Sequence, residues 1–217
     1  MRRLIDLLLP PACAGCGSAA GPWCTDCAAS LRPASVAGDR FLRADPGIVV
    51  GDDLELAVAA FAYEDRLRKA LARLKYGAMP RMAQPLAIAA AAPCRALGEL
   101  IGQAALVPIP VHAERLRDRG YNQAALLAGA LGRVTGLPVA ELLVRQRPTE
   151  KQHRLNRAAR LRNLEGAFAI APGQKAPEAV LLVDDILTTS ATLEACARVL
   201  RAAGCTRVAG FAIAREL

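Results

Sequence analysis

Val180-Leu181-Leu182-Val183-Asp184-Asp185-Ile186-Leu187-Thr188-Thr189-Ser190-Ala191-Thr192 is the stretch that decides how this chain folds. Four consecutive apolar residues are what a strand buried on both faces of a sheet requires. They lead into two adjacent acids. A turn of small hydroxylated residues then opens a helical pattern, Ala191 to Ala203, which Gly204 ends. A buried strand feeding directly into a helix is the repeating unit of parallel α/β architecture, and ligands in such folds gather at the carboxyl ends of the strands.

Working outward, the same alternation continues. Leu56 to Tyr63 reads as a strand, and Glu64 to Tyr76 carries Leu67, Ala70, Leu71 and Leu74 at helical spacing before Gly77 and Pro80. Met82 to Leu100 reads as helical, limited by Pro85 and Pro93. Ala105 to Ile109 and Val139 to Val144 read as strands on either side of a helix from Gln123 to Val134. Phe168 to Ile170 is short and extended, and Arg207 to Ile213 is a final strand. The fold class expected is α/β, with a doubly wound, mostly parallel sheet. Residues 28 to about 50, with Pro33, Gly38, Pro46 and Gly47, lack periodicity and read as a connection. The expected division is therefore 1–50, an N-terminal knuckle and linker, and 51–217, the α/β domain.

The knuckle is Cys13-Ala-Gly-Cys16 followed by Cys24-Thr-Asp-Cys27. Two such pairs present four thiolates to one tetrahedral Zn2+, with Gly15 and Gly17 supplying the turns. Four thiolates close the coordination sphere, so the expected role is structural; a redox pair is the alternative. Trp23, the only tryptophan, is expected to pack on the knuckle. Cys94, Cys196 and Cys205 stand in apolar surroundings and read as buried small hydrophobes. Paired cysteines suit a reducing compartment, so a cytoplasmic location is expected. The apolar run near the N-terminus is broken by Asp6, and the Ala-rich stretch 86–94 is too short to span a bilayer, so no membrane insertion is expected.

Composition narrows the partners. The net charge is +8, and 24 of the 28 basic residues are Arg, whose planar fork suits oxyanions. The helix start at Thr188 to Thr192 offers backbone N–H groups and hydroxyls to a phosphate monoester. Asp184 and Asp185 can accept hydrogen bonds from vicinal ribose hydroxyls, so the set fits a 5-phosphoribosyl group. Alternatively, the acids hold Mg2+ and the hydroxyls merely cap a helix. The Gly-x-x-x-x-Gly-Lys of a nucleoside triphosphate loop is absent here. A second basic segment, residues 145–162, carries Arg145, Arg147, Lys151, Arg154, Arg157, Arg160 and Arg162 against one acid, Glu150. It suits an anionic substrate, the backbone of a nucleic acid, or a solvated face. Stacking aromatics are few, with Tyr121 and Phe168 the nearest. His112 and His153 read as polar surface contacts.

Residues 180–192 resemble the phosphoribosyl pyrophosphate (PRPP) loop of type I phosphoribosyltransferases: hydrophobic strand, two acids, two variable residues, then Thr-Thr-Gly-x-Thr. Ser190 stands at the Gly position, where a Cβ strains the turn if positive φ is required. Val107-Pro108-Ile109-Pro110 through Arg115-Leu116-Arg117-Asp118-Arg119-Gly120-Tyr121-Asn122-Gln123 resembles the pyrophosphate loop region of the competence protein F (ComF) family. Arg147-Pro148-Thr149, Gln152, Leu155, Arg160, Asn163 and Gly166-Ala167-Phe168 resemble that family's downstream block. With the cysteine knuckle, the resemblance covers nearly the whole chain.

The resemblance implies a sheet of the type I phosphoribosyltransferase kind. It also implies a PRPP loop of Asp184, Asp185, Thr188, Thr189, Ser190, Ala191 and Thr192, and pyrophosphate contacts from Arg115, Arg117 and Arg119. Lys151, Arg154, Arg157 and Arg160 would form a mobile basic loop closing over the substrate, with Mg2+ arriving on PRPP. Two functional expectations follow. One is a protein that binds PRPP or a related ligand and transfers the phosphoribosyl group to some acceptor. The other is a non-enzymatic accessory of DNA uptake in natural transformation, contacting single-stranded DNA or a helicase partner.

Overall fold

The computed structural model describes residues 12–34, 48–49, 51–77, 79–147 and 164–216. Among them, four strands run parallel: β2 (Ala57–Ala62), β3 (Ala105–Pro108), β6 (Ala179–Leu187) and β7 (Arg207–Arg215). A two-residue β1 (Ile48–Val49) adds antiparallel to β2, giving the order β1-β2-β7-β6-β3. Helices cover both faces. On one, α2 (Asp65–Tyr76), α3 (Ala83–Ala89), α4 (Ala91–Leu100) and α6 (Gln123–Thr135) pack on Leu106, Leu181, Val183 and Phe211. On the other, α7 (Ala191–Ala202) packs on Val107, Val180, Leu182 and Ala212. Alternate residues of one strand thus serve opposite cores, as the two-residue repeat requires. The fold is the expected α/β architecture with a mostly parallel sheet.

Three elements differ from the sequence reading for definable reasons. The run from Met82 to Leu100 divides at Ala90 into α3 and α4. Pro85 and Pro93 each fall at the third residue of their helix, where the missing N–H loses no intrahelical bond, so each proline needs its own helix start. Val139 makes only an isolated bridge to Leu106, while β4 (Leu143–Arg145) pairs antiparallel with β5 (Phe168–Ile170) in a separate two-stranded sheet. The third is α5 (Ala113–Arg119), a helix with no buried residue and therefore no apolar periodicity to announce it. His112 caps it, Nδ1 accepting from the Glu114 N–H at 3.4 Å, and Gly120 ends it at φ +78°.

Residues 28–50 are more than a connection where they are described. Pro33 bridges Phe61, and Ile48 and Val49 pair with Val58 and Ala57. The knuckle, with its short helix α1 (Thr25–Ala29), lies against α2. Arg73 Nη1 donates to the Cys13 carbonyl at 2.9 Å, and Ala14 is buried among Leu67, Ala70 and Leu71. Cys94, Cys196 and Cys205 are all buried.

Candidate functional site

The four knuckle sulfurs converge. All Sγ atoms of Cys13, Cys16, Cys24 and Cys27 lie within 4.8 Å of one another, with Cys13–Cys27 at 3.5 Å and Cys16–Cys24 at 3.6 Å. Zn–S bonds of about 2.3 Å put tetrahedral sulfurs about 3.8 Å apart, so the set can hold a metal such as zinc. Among the four thiols the surroundings favour ionisation of Cys13 but not of Cys27, which burial and the neighbouring thiols push up to about 12. Burial works against ionising Cys13, but the N–H groups of Cys16, Cys24 and Gly15 overcome it and bring the thiol down to about 6. Gly15 has a reason beyond flexibility: a Cβ there would meet Cys27 Sγ at 2.6 Å and Trp23 at 3.0 Å. Gly17 does supply a turn, at φ +84°. Trp23 packs against the cysteines as expected.

The second centre forms at the carboxyl end of β6. Here β3 stops pairing at Val183, while β7 continues beside β6 to Leu187. Both acids therefore lie within the strand rather than after it, and strand geometry turns successive side chains to opposite faces. Asp185, 2% exposed, meets α2, where Lys75 Nζ stands 2.8 Å from its Oδ2. Burial disfavours the Lys75 ammonium, but the Asp185 carboxylate outweighs it and holds the ammonium above its ordinary value. Asp184 falls within the electrostatic reach of Cys196 on α7 and Arg145 on β4. Burial, reinforced by the charge of Asp185, pushes its carboxyl up to about 8. The Asp185 N–H donates to Asp184 Oδ1 at 2.8 Å, fixing the pair locally.

The following turn carries Thr188 exposed, Thr189 and Thr192 half-buried, and Ser190 and Ala191 buried. Ser190 adopts φ +57°, the left-handed conformation that the glycine comparison raised, and its hydroxyl donates to the Thr189 carbonyl at 2.6 Å. It precedes α7, whose first N–H groups lack intrahelical acceptors.

Beyond Lys75 opens a cavity of about 310 Å³ lined by Lys75, Tyr76, Arg115, Asp118, Arg119 and Tyr121. Arg115 and Arg119, one turn apart on α5, share this wall. Arg117, two positions from each, is carried to another side of the helix and stands exposed. Lys151, Arg154, Arg157 and Arg160 lie outside the described residues, as does His153. Of the two aromatics singled out from sequence, Phe168 is buried beneath Arg145, and Tyr121 is tethered through its OH to the Leu74 carbonyl at 2.6 Å. Sequence reasoning missed Lys75 and Tyr76. The helix ending in a Lys-Tyr pair at the edge of its apolar stripe was the available signal.

No family model matches the chain. Competence protein F of Haemophilus influenzae is 28% identical over 94% of this chain and 90% of its own length. Competence protein ComFC of Bacillus subtilis is 37% identical over 51% of the chain and 44% of its own. DNA utilization protein YhgH of Escherichia coli is 33% identical over 52% and 49%. The alignments to the last two thus span about half of each relative, whereas the first is nearly end to end. Among the described residues no helix is long and apolar enough to cross a membrane. The chain is thus similar to competence protein F over almost the full length of both, and its four cysteines converge where the sequence resemblance requires them.

Proposed function

We propose that this protein binds PRPP or a related 5-phosphoribosyl ligand at the carboxyl end of β6, as a cytoplasmic component of DNA uptake. The observation that carries the reading is the continuity from Asp184 and Asp185 into the Thr188–Thr192 turn and α7, with Lys75 and Arg115 close by. A ribose laid over the strand end meets Asp184, while Asp185, held by Lys75, supports the strand end from behind. The hydroxyls and N–H groups of the turn take the 5-phosphate. Arg115 and Arg119 face the departing pyrophosphate, and Arg117 reaches it only from outside the cavity. Mg2+ bound to PRPP would screen the charge of its phosphates.

If the phosphoribosyl group is transferred, these residues act by orientation and charge. The lysine–aspartate pair fixes the strand end, and the arginines stabilise negative charge as it develops on the leaving group. Calorimetric titration of Mg2+-PRPP into the zinc-loaded protein tests the reading. Saturable binding that disappears in an Asp184→Asn/Asp185→Asn variant is expected; no binding to the wild type would sink it.

A second reading is a non-enzymatic accessory that contacts single-stranded DNA or a helicase. It is supported by the names of the relatives and by exposed Arg115 and Arg117. Binding to a strand would weaken steeply with salt through counterion release, unlike the carboxylate-dependent binding of PRPP.

A further inference from the structure

We propose that the cysteine knuckle is an oxidation-sensitive site, at which a peroxide enters at Cys16, joins Cys16 to Cys24, and so expels the metal and loosens the knuckle's hold on α2. The proposal is independent of the ligand at the strand end. It gives the four thiols a chemistry besides holding the fold.

Accessibility selects the point of entry. Cys13, Cys24 and Cys27 are buried, whereas Cys16 is exposed, its sulfur 3.2 Å from Ser18 Oγ. Two short sulfur contacts cross between the C-x-x-C pairs, Cys16 to Cys24 at 3.6 Å and Cys13 to Cys27 at 3.5 Å. A disulfide needs about 2.05 Å, so either crossed pair closes with a displacement of about 1.5 Å. The Cys16 thiolate attacks one peroxide oxygen, the O–O bond breaks, and hydroxide departs to leave a sulfenic acid. The Cys24 thiolate then forms the S–S bond and displaces a second hydroxide. Two electrons thus pass from two thiolates to one peroxide. Cys13 and Cys27 remain, too few to close a tetrahedral coordination sphere, and a second peroxide joins them by the same steps.

The knuckle meets α2 at three points. Arg73 Nη1 donates to the Cys13 carbonyl at 2.9 Å, Arg66 Nη1 lies 3.9 Å from Cys27 Sγ, and Ala14 is buried among Leu67, Ala70 and Leu71. In so small a unit metal binding is folding energy, so its loss loosens these contacts. The other end of α2 carries Lys75 to Asp185, and one helix therefore joins the knuckle to the end of β6.

The test treats the zinc-loaded protein with hydrogen peroxide. A chromogenic chelator follows zinc release, mass spectrometry of unreduced peptides gives the connectivity, and amide exchange reports on α2. Loss of zinc should track formation of the Cys16–Cys24 bond, with buried Cys94, Cys196 and Cys205 still thiols. Fluorescence of Trp23, which packs against the cysteines, should change at the same rate. A thiol reductant with added zinc should restore the starting state. Cys16→His keeps a zinc ligand but removes the entry sulfur, so it should lose the peroxide-driven release. Exchange across residues 66–76 should rise in the oxidised wild type and not in treated Cys16→His. Bonds within Cys13–Cys16 or Cys24–Cys27, release from Cys16→His at the wild-type rate, or α2 exchange indifferent to oxidation overturns the proposal. Connectivity in the wild type decides it even where Cys16→His fails to load zinc.

Discussion

Lys75 Nζ lies 2.8 Å from Asp185 Oδ2, joining the end of α2 to the end of β6 across more than half the chain. Asp185 is almost fully buried, so the pair is a point where the sheet and the helical layer must agree. Removing the lysine leaves an uncompensated buried carboxylate. Lys75→Met should therefore destabilise the protein by about 3–5 kcal/mol, and Lys75→Met/Asp185→Asn should recover most of that loss. Urea denaturation of the two single variants and the double variant measures the coupling.

The raised carboxyl of Asp184 has a definite pH signature. An unfolded aspartate ionises near pH 4, whereas the folded one holds its proton until about pH 8. Between these values the folded state binds more protons, so this group's contribution to stability declines as pH rises through the window and levels off above it. Asp184→Asn should remove that decline and raise the melting temperature most near pH 8. Thermal melts across the window check it; equal slopes in both proteins would contradict the assignment.

Ligand binding reads the same group differently. If the proposed ligand binds, ribose hydroxyls donating to Asp184 would favour the carboxylate, so adding ribose 5-phosphate near pH 7 should expel a proton. Calorimetry in buffers of differing ionisation enthalpy measures the release, which Asp184→Asn should abolish.

Ser190 sits at φ +57° without a glycine's freedom. A β-branched residue is a true outlier there, so Ser190→Val should cost roughly 2 kcal/mol, while Ser190→Gly should be neutral or gain up to about 1 kcal/mol. Chemical denaturation distinguishes the two, and a well-tolerated valine would mean the turn has another conformation.

At the knuckle, zinc content and stability should fall together. Gly15→Ala forces a Cβ to 2.6 Å from Cys27 Sγ, and Cys24→Ser removes one of the four converging thiols. Both should lower bound zinc from about one ion per chain and make the protein unfold at lower temperature, as a metal whose binding is folding energy requires. Metal analysis beside melting curves follows both quantities.

How much of this was legible in the sequence depends on the range of the cause. The helix from Asp65, the strand into Asp184 and the cysteine pairs are local patterns, and the structure follows them closely. Lys75 stood at the end of a legible helix, but its role was not legible because its partner Asp185 lies far along the chain and a lysine at a helix end needs no further explanation. α5 was missed because every residue in it is polar or exposed, leaving no periodic stripe. The acids were read as following the strand, since the apolar run ends at Val183. It is β7, running to Arg215, that extends the pairing past them. Tyr121 and Phe168 were favoured over Tyr76 by nearness to arginines in sequence, which says nothing about which ring faces solvent.

The strand order has a consequence for biosynthesis. β7 follows every other described strand in the chain, yet it lies between β2 and β6 and hydrogen-bonds to both. While the chain emerges from the ribosome, β3 and β6 can pair, but β2 waits with an open edge until the final strand arrives. The Lys75–Asp185 contact spans that same seam, because α2 follows β2 and Asp185 belongs to β6. Nascent chains halted before residue 207 should therefore hold two half-sheets, and an unfinished copy should be a target for chaperones.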